Sequence, residues 1–105
     1  MGYRVKLTPA AQQDLDDIRL FLGSDYPESI KRVFTELAKR MAMLQDFPLA
    51  GAPCREFSSE RIREIVYSHY RIIYSPYADR QIIYILRVWH GARGTPKLPR
   101  NRVPQ

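Results

Sequence analysis

The chain has 105 residues, 45% of them hydrophobic, and a formal net charge of +6 at pH 7, so it has room for one domain with one core. No run approaches the roughly 18 to 20 apolar residues that cross a membrane, and the N-terminal sequence MGYRVKLTP lacks the apolar segment of a secretory signal, which predicts a cytosolic protein. Cys54, the single cysteine, excludes an intramolecular disulfide and a multi-cysteine metal site and is expected to be an incidental loop thiol.

The first half of the chain predicts one strand followed by two amphipathic helices. Residues 3–7 alternate apolar and basic side chains, as in a half-buried strand. Thr8 and Pro9 have the pattern of a helix N-cap followed by proline at the first helical position, and Asp14 is expected to favour the positive end of that helix. A second helix opens at Pro27 and ends at the sequence DFPLAGAP. The two helices are expected to pack as an antiparallel hairpin.

The second half predicts three strands, with the sequences RIREIVY from Arg61, YRIIYS from Tyr70 and RQIIYILRVWH from Arg80. Their connections are short enough for hairpins, which makes the strands a meander with His69 as a turn residue. The last strand begins with a run that is apolar on both faces, as in an interior strand. The element order βααβββ therefore predicts an α+β fold in which the helical hairpin packs on one face of a small antiparallel sheet.

Positive charge is concentrated in the second half of the chain. Residues 1–50 contain seven Lys or Arg and seven Asp or Glu, whereas residues 51–105 contain ten and four. One end or face of the domain is therefore expected to be basic, which attracts nucleic acid or an acidic protein segment. The domain is expected to span residues 1–93. Residues 94–105 are predicted to be a basic, proline-containing tail, so that removing residues 95–105 would weaken function and leave the fold intact.

Several stretches of the sequence together resemble the ParE/RelE superfamily of toxins from bacterial type II toxin–antitoxin systems. They are AAQQDLDDI in the first helix, LQDFPLAGAP at the end of the second, RIREIVYSHYRIIYS in the middle strands and IIYILRVWHGAR in the last strand. The resemblance runs from about Val5 to Arg93 and is greatest to the ParE branch. It implies the RelE/ParE-like fold and a protein that arrests growth when free and is silenced by an antitoxin translated with it.

The resemblance implies two different targets on one fold. ParE proteins are described as poisons of DNA gyrase, whereas RelE proteins cleave messenger RNA on the ribosome. We predict a gyrase inhibitor that acts by binding, needs no metal or cofactor, recognises no DNA sequence directly and is neutralised by a ParD-like antitoxin. A ribosome-dependent endoribonuclease is the alternative, and a degenerate toxin kept only to bind its antitoxin is a third hypothesis.

Cleavage of RNA by its own 2′-hydroxyl needs a base, an acid and cations that stabilise the phosphate charge. For the endoribonuclease alternative the candidate set is His90 with Arg63, Arg71 and Arg93, because an imidazole titrates near neutrality. Residues 41–96 contain no lysine, so the lysine-rich pocket of some RelE proteins has no counterpart here. The chain lacks a clear acid and base pair, which favours binding over cleavage.

Two sets of residues are predicted to bind partners. The target-binding set follows the last strand into the basic tail and comprises Trp89, His90, Arg93, Lys97 and Arg100. The antitoxin-binding set joins basic positions on the helices to the start of the first later strand and comprises Arg19, Lys31, Arg32, Lys39, Arg40, Arg61 and Arg63. The antitoxin segment itself is expected to carry acidic residues among apolar anchors and to fold as it binds the helical hairpin and the sheet edge.

Overall fold

The computed structural model describes residues 2–23 and 26–98. The predicted α+β fold is confirmed, because two helices pack on one sheet. In chain order the elements are β1 (Arg4–Leu7), α1 (Pro9–Leu22), α2 (Pro27–Met43), β2 (Ala52–Pro53), β3 (Arg63–Tyr67), β4 (Tyr70–Tyr77), β5 (Ile82–His90) and a 3₁₀ helix (Gly91–Arg93). The two-residue strand β2 lies where a loop was expected. Neither helix of the described ranges is long and apolar enough to cross a membrane.

The sheet has the strand order β1–β5–β4–β3–β2. Strands β3, β4 and β5 form the predicted antiparallel meander, and β5 is an interior strand, as its apolar run indicated. Strand β1, however, lies parallel to β5, with Val5 opposite Ile83. The sheet is therefore mixed rather than antiparallel throughout. Between β1 and β5 the chain passes through both helices and three strands, a connection long enough for parallel pairing.

Thr8 begins α1 as predicted and also joins the helix to the sheet. Its Oγ1 accepts a hydrogen bond from the Ala11 N–H at 3.2 Å and donates to the carbonyls of Ile85 and Leu86 at 2.9 and 3.1 Å. Leu7 opposite Ile85 is the last pair of the β1–β5 ladder, so these carbonyls lie where β5 loses its neighbour. The cap of α1 therefore adds a side-chain hydrogen bond to carbonyls at a strand edge, where the Ile85 carbonyl also accepts the Thr8 N–H at 3.1 Å.

Both faces of the inner strands β4 and β5 are buried. On one face the helices pack Ile18, Leu37 and Leu44 against strand residues that include Ile72 and Ile83. On the other face the cover comes from the segment between β2 and β3 and from the residues after the 3₁₀ helix. That second cluster comprises Cys54, Phe57, Ile62, Ile73, Tyr77, Ile82, Tyr84, Leu86, Trp89 and Leu98. The apolar run of β5 thus has a partner on each side.

Residues 94–98 belong to the packed domain. The Gly94 carbonyl accepts a hydrogen bond from Trp89 Nε1 at 2.9 Å, and the Lys97 carbonyl accepts one from Arg87 Nη1 at 2.7 Å. The expected boundary after residue 93 therefore falls inside a packed segment. Composition gave no sign of this, because a proline-containing basic segment is typical of both a free tail and a fixed extended cover.

Leu98 is half-buried in the second cluster and Pro96 is buried. Deleting residues 95–105 would remove these contacts, so we expect this deletion to lower the free energy of unfolding and not only the toxicity. Arg100 of the predicted target-binding set lies outside the described residues.

We expect replacement of Leu98 by alanine to lower the free energy of unfolding by about 1–2 kcal/mol, because a half-buried apolar side chain loses part of its burial. The matched control is Lys97→Ala, since the Lys97 side chain is exposed and only its carbonyl makes the contact described above. This control should change the free energy by less than about 0.5 kcal/mol. Urea denaturation measures both, and equal losses would contradict the packing of Leu98.

Candidate functional site

The end of β5 and the side of α1 meet at one buried carboxylate. Asp14 is 2% exposed, and its Oδ2 accepts a hydrogen bond from the Val88 N–H at 2.9 Å, on the edge of β5 that β1 leaves unpaired. The expectation that Asp14 favours the positive helix end is wrong. No acidic residue lies in the first turn of α1, and Asp14 points its charge at the strand instead.

Two guanidinium groups neutralise Asp14. Arg87 makes a bidentate pair with it, from Nε to Oδ2 and from Nη2 to Oδ1, both at 2.7 Å. Arg93, at the end of the 3₁₀ helix, donates from Nη1 to Oδ1 at 3.1 Å. The hydrogen bonds with Asp14 raise the pKa of Arg87 above its ordinary value, although burial opposes this. Helix α1, strand β5 and the 3₁₀ helix are thus joined through one side chain.

Trp89 lies beneath these arginines. Its ring centroid is 4.7 Å from the Cζ of Arg87 and 4.1 Å from that of Arg93, within cation–π range. The ring is 4% exposed, and its Nε1 is used by the Gly94 carbonyl. Trp89 was placed in the target-binding set, but in this arrangement it supports Arg93 and does not face a partner.

An open pocket of about 400 Å³ lies beside the Asp14 cluster. Its surface is mainly apolar, with five ionisable side chains. The lining residues are Asp14, Asp17, Ile18, Phe21, Tyr70, Val88, His90, Ala92 and Arg93. Phe21 is 77% exposed, so one large apolar side chain of the lining is open to solvent. The pocket therefore offers apolar surface together with a small number of polar groups, as binding sites commonly do.

His90 enters this pocket with one ring nitrogen already engaged. Its Nδ1 accepts the Ala92 N–H at 3.0 Å, and its ring packs edge-on against Tyr70 at a centroid distance of 5.1 Å. Phe21 and His69 lie 6.0 Å away, centroid to centroid. Because Nδ1 accepts, the neutral ring carries its proton on Nε2, which is then a donor. The geometry suits hydrogen bonding to a partner better than removal of a proton from one.

The four residues of the endoribonuclease set are not brought together. His90 and Arg93 line the pocket. In the strand register Arg63 lies opposite Tyr74, and His90 lies opposite Tyr70. Tyr70 and Tyr74 are four residues apart on β4, which is about 13 Å along a strand. The Nη1 of Arg63 donates to the Gly51 carbonyl at 2.7 Å. Arg71 is engaged in a separate cluster.

Arg71 lies at the centre of a polar cluster that joins the strands to the segment after β2. It donates to Glu64 from Nε at 2.6 Å, and to Glu56 from both terminal nitrogens at 2.7 and 2.9 Å. The hydrogen bonds from Arg71 lower the pKa of Glu56 to about 2. Oxygen atoms of the two carboxylates and Cys54 Sγ lie within 4.8 Å of one another, a spacing a metal could use. Since Arg71 already neutralises both carboxylates, the cluster fits an ion-pair network better than a cation site.

The sequence profile of ParE toxins of type II toxin–antitoxin systems (parDE) matches residues 5–94. The chain belongs to the ParE toxin family. A protein of Sinorhizobium fredii (strain NBRC 101917 / NGR234) predicted to be a toxin, Y4kP, is 28% identical over 95 residues, which are 90% of this chain and 95% of that protein. The resemblance inferred from the sequence motifs is confirmed.

Two solved structures share the fold of this ParE family member. The toxin–antitoxin complex RelBE2 of Mycobacterium tuberculosis contains a chain that is 23% identical with a TM-score of 0.66, over 86% of this chain and 99% of that one. A double arginine-to-alanine mutant of the Escherichia coli toxin RelE in the free state is 17% identical with a TM-score of 0.59, over 90% and 88%. At these identities the likeness concerns the fold alone.

The basic residues assigned to antitoxin binding on the helices differ in their exposure and in their contacts within the domain. Lys31 and Arg32 are exposed. Arg19 lies over the ring of Phe34 at 4.6 Å, so it also packs the two helices together. Two further members pair with Glu36 on the same helix, one of them at the exposed surface. These are Lys39, whose Nζ is 3.5 Å from Glu36, and Arg40, which is 3.4 Å from Glu36 and 4.4 Å from the centroid of Tyr67.

Asp14 and Arg87, the pair that organises the site, were not among the candidate residues. A signal for both was present in the sequence. Asp14 lies on the apolar stripe of α1, three residues after Ala11 and four before Ile18, where a charged side chain needs a buried partner. Arg87 interrupts the apolar run of β5 in the same way. Neither residue alone reveals that the other is its partner, because their separation in sequence is 73 residues.

Cys54 should react slowly with iodoacetamide. The thiol is buried, and burial with the charge of Glu64 raises its pKa from 9.0 to about 11. Since the thiolate is the reactive form, alkylation at pH 8 should be about 100-fold slower in the native protein than in 8 M urea, as mass spectrometry can measure. The raised pKa also means that stability contributed by the neutral thiol is lost as the pH rises from about 9 to 11. Equal rates in both conditions would contradict this environment.

Proposed function

We propose that this protein is a cytoplasmic toxin that arrests growth by binding DNA gyrase, without covalent chemistry of its own, and that a ParD-like antitoxin neutralises it. Membership of the ParE family supports the first part. One observation favours binding over the endoribonuclease alternative. Only His90 and Arg93 of the four candidate residues share the pocket, whereas Arg63 and Arg71 are engaged elsewhere.

The charges around the pocket also favour binding over cleavage of RNA. The charges of Asp14 and Asp17 balance those of Arg87 and Arg93, so the pocket does not present the excess of positive charge that a phosphate backbone requires. Within the described residues, His90 is the one imidazole that lines it, and its Nδ1 is engaged by the Ala92 N–H. We therefore assign the pocket to binding rather than to acid–base cleavage of a phosphodiester.

The target surface in this proposal consists of the pocket and its surroundings after β5. Arg93 and His90 make the direct contacts, and the apolar lining receives a side chain of the target. Lys97 is exposed beside them and adds positive charge, with Arg100 further along the chain. Trp89 contributes indirectly, through the guanidinium that it supports.

The antitoxin surface in this proposal lies on the exposed side of the helices. The similar chain of Mycobacterium tuberculosis was solved in a toxin–antitoxin complex, which supports an antitoxin partner for this chain. Lys31 and Arg32 are the first contacts to consider, because they are exposed. Arg61, whose Cζ lies 5.0 Å from the ring of Tyr77, lies toward the face opposite the helices, so in this proposal it and Arg63 form a second contact at the strands.

Purified toxin should inhibit supercoiling by gyrase, or trap gyrase with cleaved DNA, and should leave messenger RNA intact on translating ribosomes. The reason is that two of the four residues of the endoribonuclease set, Arg63 and Arg71, are engaged away from the pocket. A supercoiling assay and primer extension on ribosome-bound messenger RNA measure the two activities. RNA cuts that depend on the codon and disappear in His90→Ala would refute the proposal and favour the endoribonuclease. A protein that arrests no growth without its antitoxin would favour the degenerate toxin.

Charge reversal on α2 should change which antitoxin neutralises the toxin while growth arrest is retained. We expect Lys31→Glu with Arg32→Glu to lower the affinity for the cognate antitoxin at least about tenfold, because complementary charges across an interface become repulsive. The matched control is Arg55→Glu with Arg80→Glu, two exposed positions outside the helices. Calorimetric titration with the antitoxin measures the difference. If only the control pair alters antitoxin preference, the helical surface is the wrong assignment.

A further inference from the structure

Arg93 is exposed and yet held in one place. Its side chain is 45% exposed, and such arginines usually sample several rotamers. Here Nη1 donates to Asp14 at 3.1 Å and the guanidinium lies 4.1 Å from the Trp89 ring centroid. A guanidinium has five N–H donors, and these contacts engage one of them with a hydrogen bond. The remaining donors can reach a partner without a further loss of side-chain entropy.

Asp14 does not need Arg93 for its own pairing. The bidentate Arg87 and the Val88 N–H already give this buried carboxylate three hydrogen bonds and a compensating charge. The contact with Arg93 shares Oδ1, which Arg87 also uses, and is the longest of the set. Its main physical consequence therefore concerns Arg93, whose guanidinium it orients beside the pocket.

We propose that Asp14 is a positioning residue for Arg93, and that Arg93 so held binds a carboxylate on the target protein. A planar guanidinium fork matches a carboxylate in a bidentate geometry. Asp17 lines the same pocket and would repel a polyanion, whereas a single carboxylate next to an apolar side chain fits the arginine and the lining around Phe21. The inference rests on the proposed role of this pocket in target binding and adds the chemistry of the group bound.

A double-mutant cycle tests the inference. The variants are Asp14→Asn, Arg93→Ala and the two combined, and the readout is the cellular toxin level that halves the growth rate without antitoxin. Each single variant should raise that level about 3- to 30-fold, as coupled residues do. In the Arg93→Ala background, Asp14→Asn should raise it no further. The unfolding midpoint, in contrast, should fall in both backgrounds, because Asp14→Asn removes the ion pair with Arg87 in each.

Two controls carry the same charge changes at exposed positions. Asp16→Asn on α1 and Arg80→Ala in the β4–β5 turn should change the toxic level less than about twofold. Independent, additive effects of Asp14→Asn and Arg93→Ala on toxicity would overturn the positioning role. Full toxicity of Arg93→Ala would overturn the role of Arg93 as well. A gyrase assay in parallel separates the hypotheses, since growth arrest without gyrase inhibition refutes the proposed target and leaves the cycle valid.

Asp14→Asn can unfold the protein, because it leaves Arg87 without its charged partner. Arg93→Lys tests the same idea without a change at Asp14. Lysine keeps the charge but lacks the fork, so a single ammonium cannot hold Asp14 and a target carboxylate in the same way. We expect Arg93→Lys to lose as much toxicity as Arg93→Ala. Toxicity equal to that of the unaltered protein would overturn the inference.

Discussion

The carboxylate of Asp14 is the contact on which the junction between the helices and the end of the sheet depends. It accepts four hydrogen bonds, from Arg87, Val88 and Arg93, while only 2% exposed. A buried carboxylate is tolerated only when it is paired and fully hydrogen-bonded, and removing one partner of such a pair is strongly destabilising. The path of α1 across the free edge of β5 and the position of the 3₁₀ helix therefore depend on one another.

A second ion-pair cluster secures the other covering segment. Arg71 joins β4 to Glu64 on β3 and to Glu56 in the segment after β2. Arg87 likewise holds the segment after the 3₁₀ helix, because it donates a hydrogen bond to the Lys97 carbonyl. Much of the positive charge in the second half of the chain therefore serves the fold, which makes the basic field around the pocket weaker than the net charge of +6 alone indicates.

Most of the fold could be predicted because its signals are local. The starts of both helices are marked by short local patterns, Thr8 followed by Pro9 in α1 and Pro27 in α2, which do not depend on the rest of the chain. The parallel pairing of β1 with β5 could not be predicted, since alternation shows which side chains share a face but not which strand is the neighbour. A two-residue strand carries no periodicity at all. In the site, His90 and Arg93 could be placed together because they are three residues apart, whereas the long-range partner of Asp14 has no local signature.

The distribution of the arginines bears on how one fold serves two chemistries. Arg63, Arg71 and Arg87 lie on the adjacent strands β3, β4 and β5, and a ribonuclease can use such a set to surround a phosphate. In this chain Arg63 and Arg71 donate to groups of the domain itself. What remains beside the pocket is one positioned arginine, one histidine with a donor nitrogen and a mainly apolar lining. A surface of this composition is typical of protein recognition, in which an apolar contact supplies affinity and a single charged contact fixes orientation.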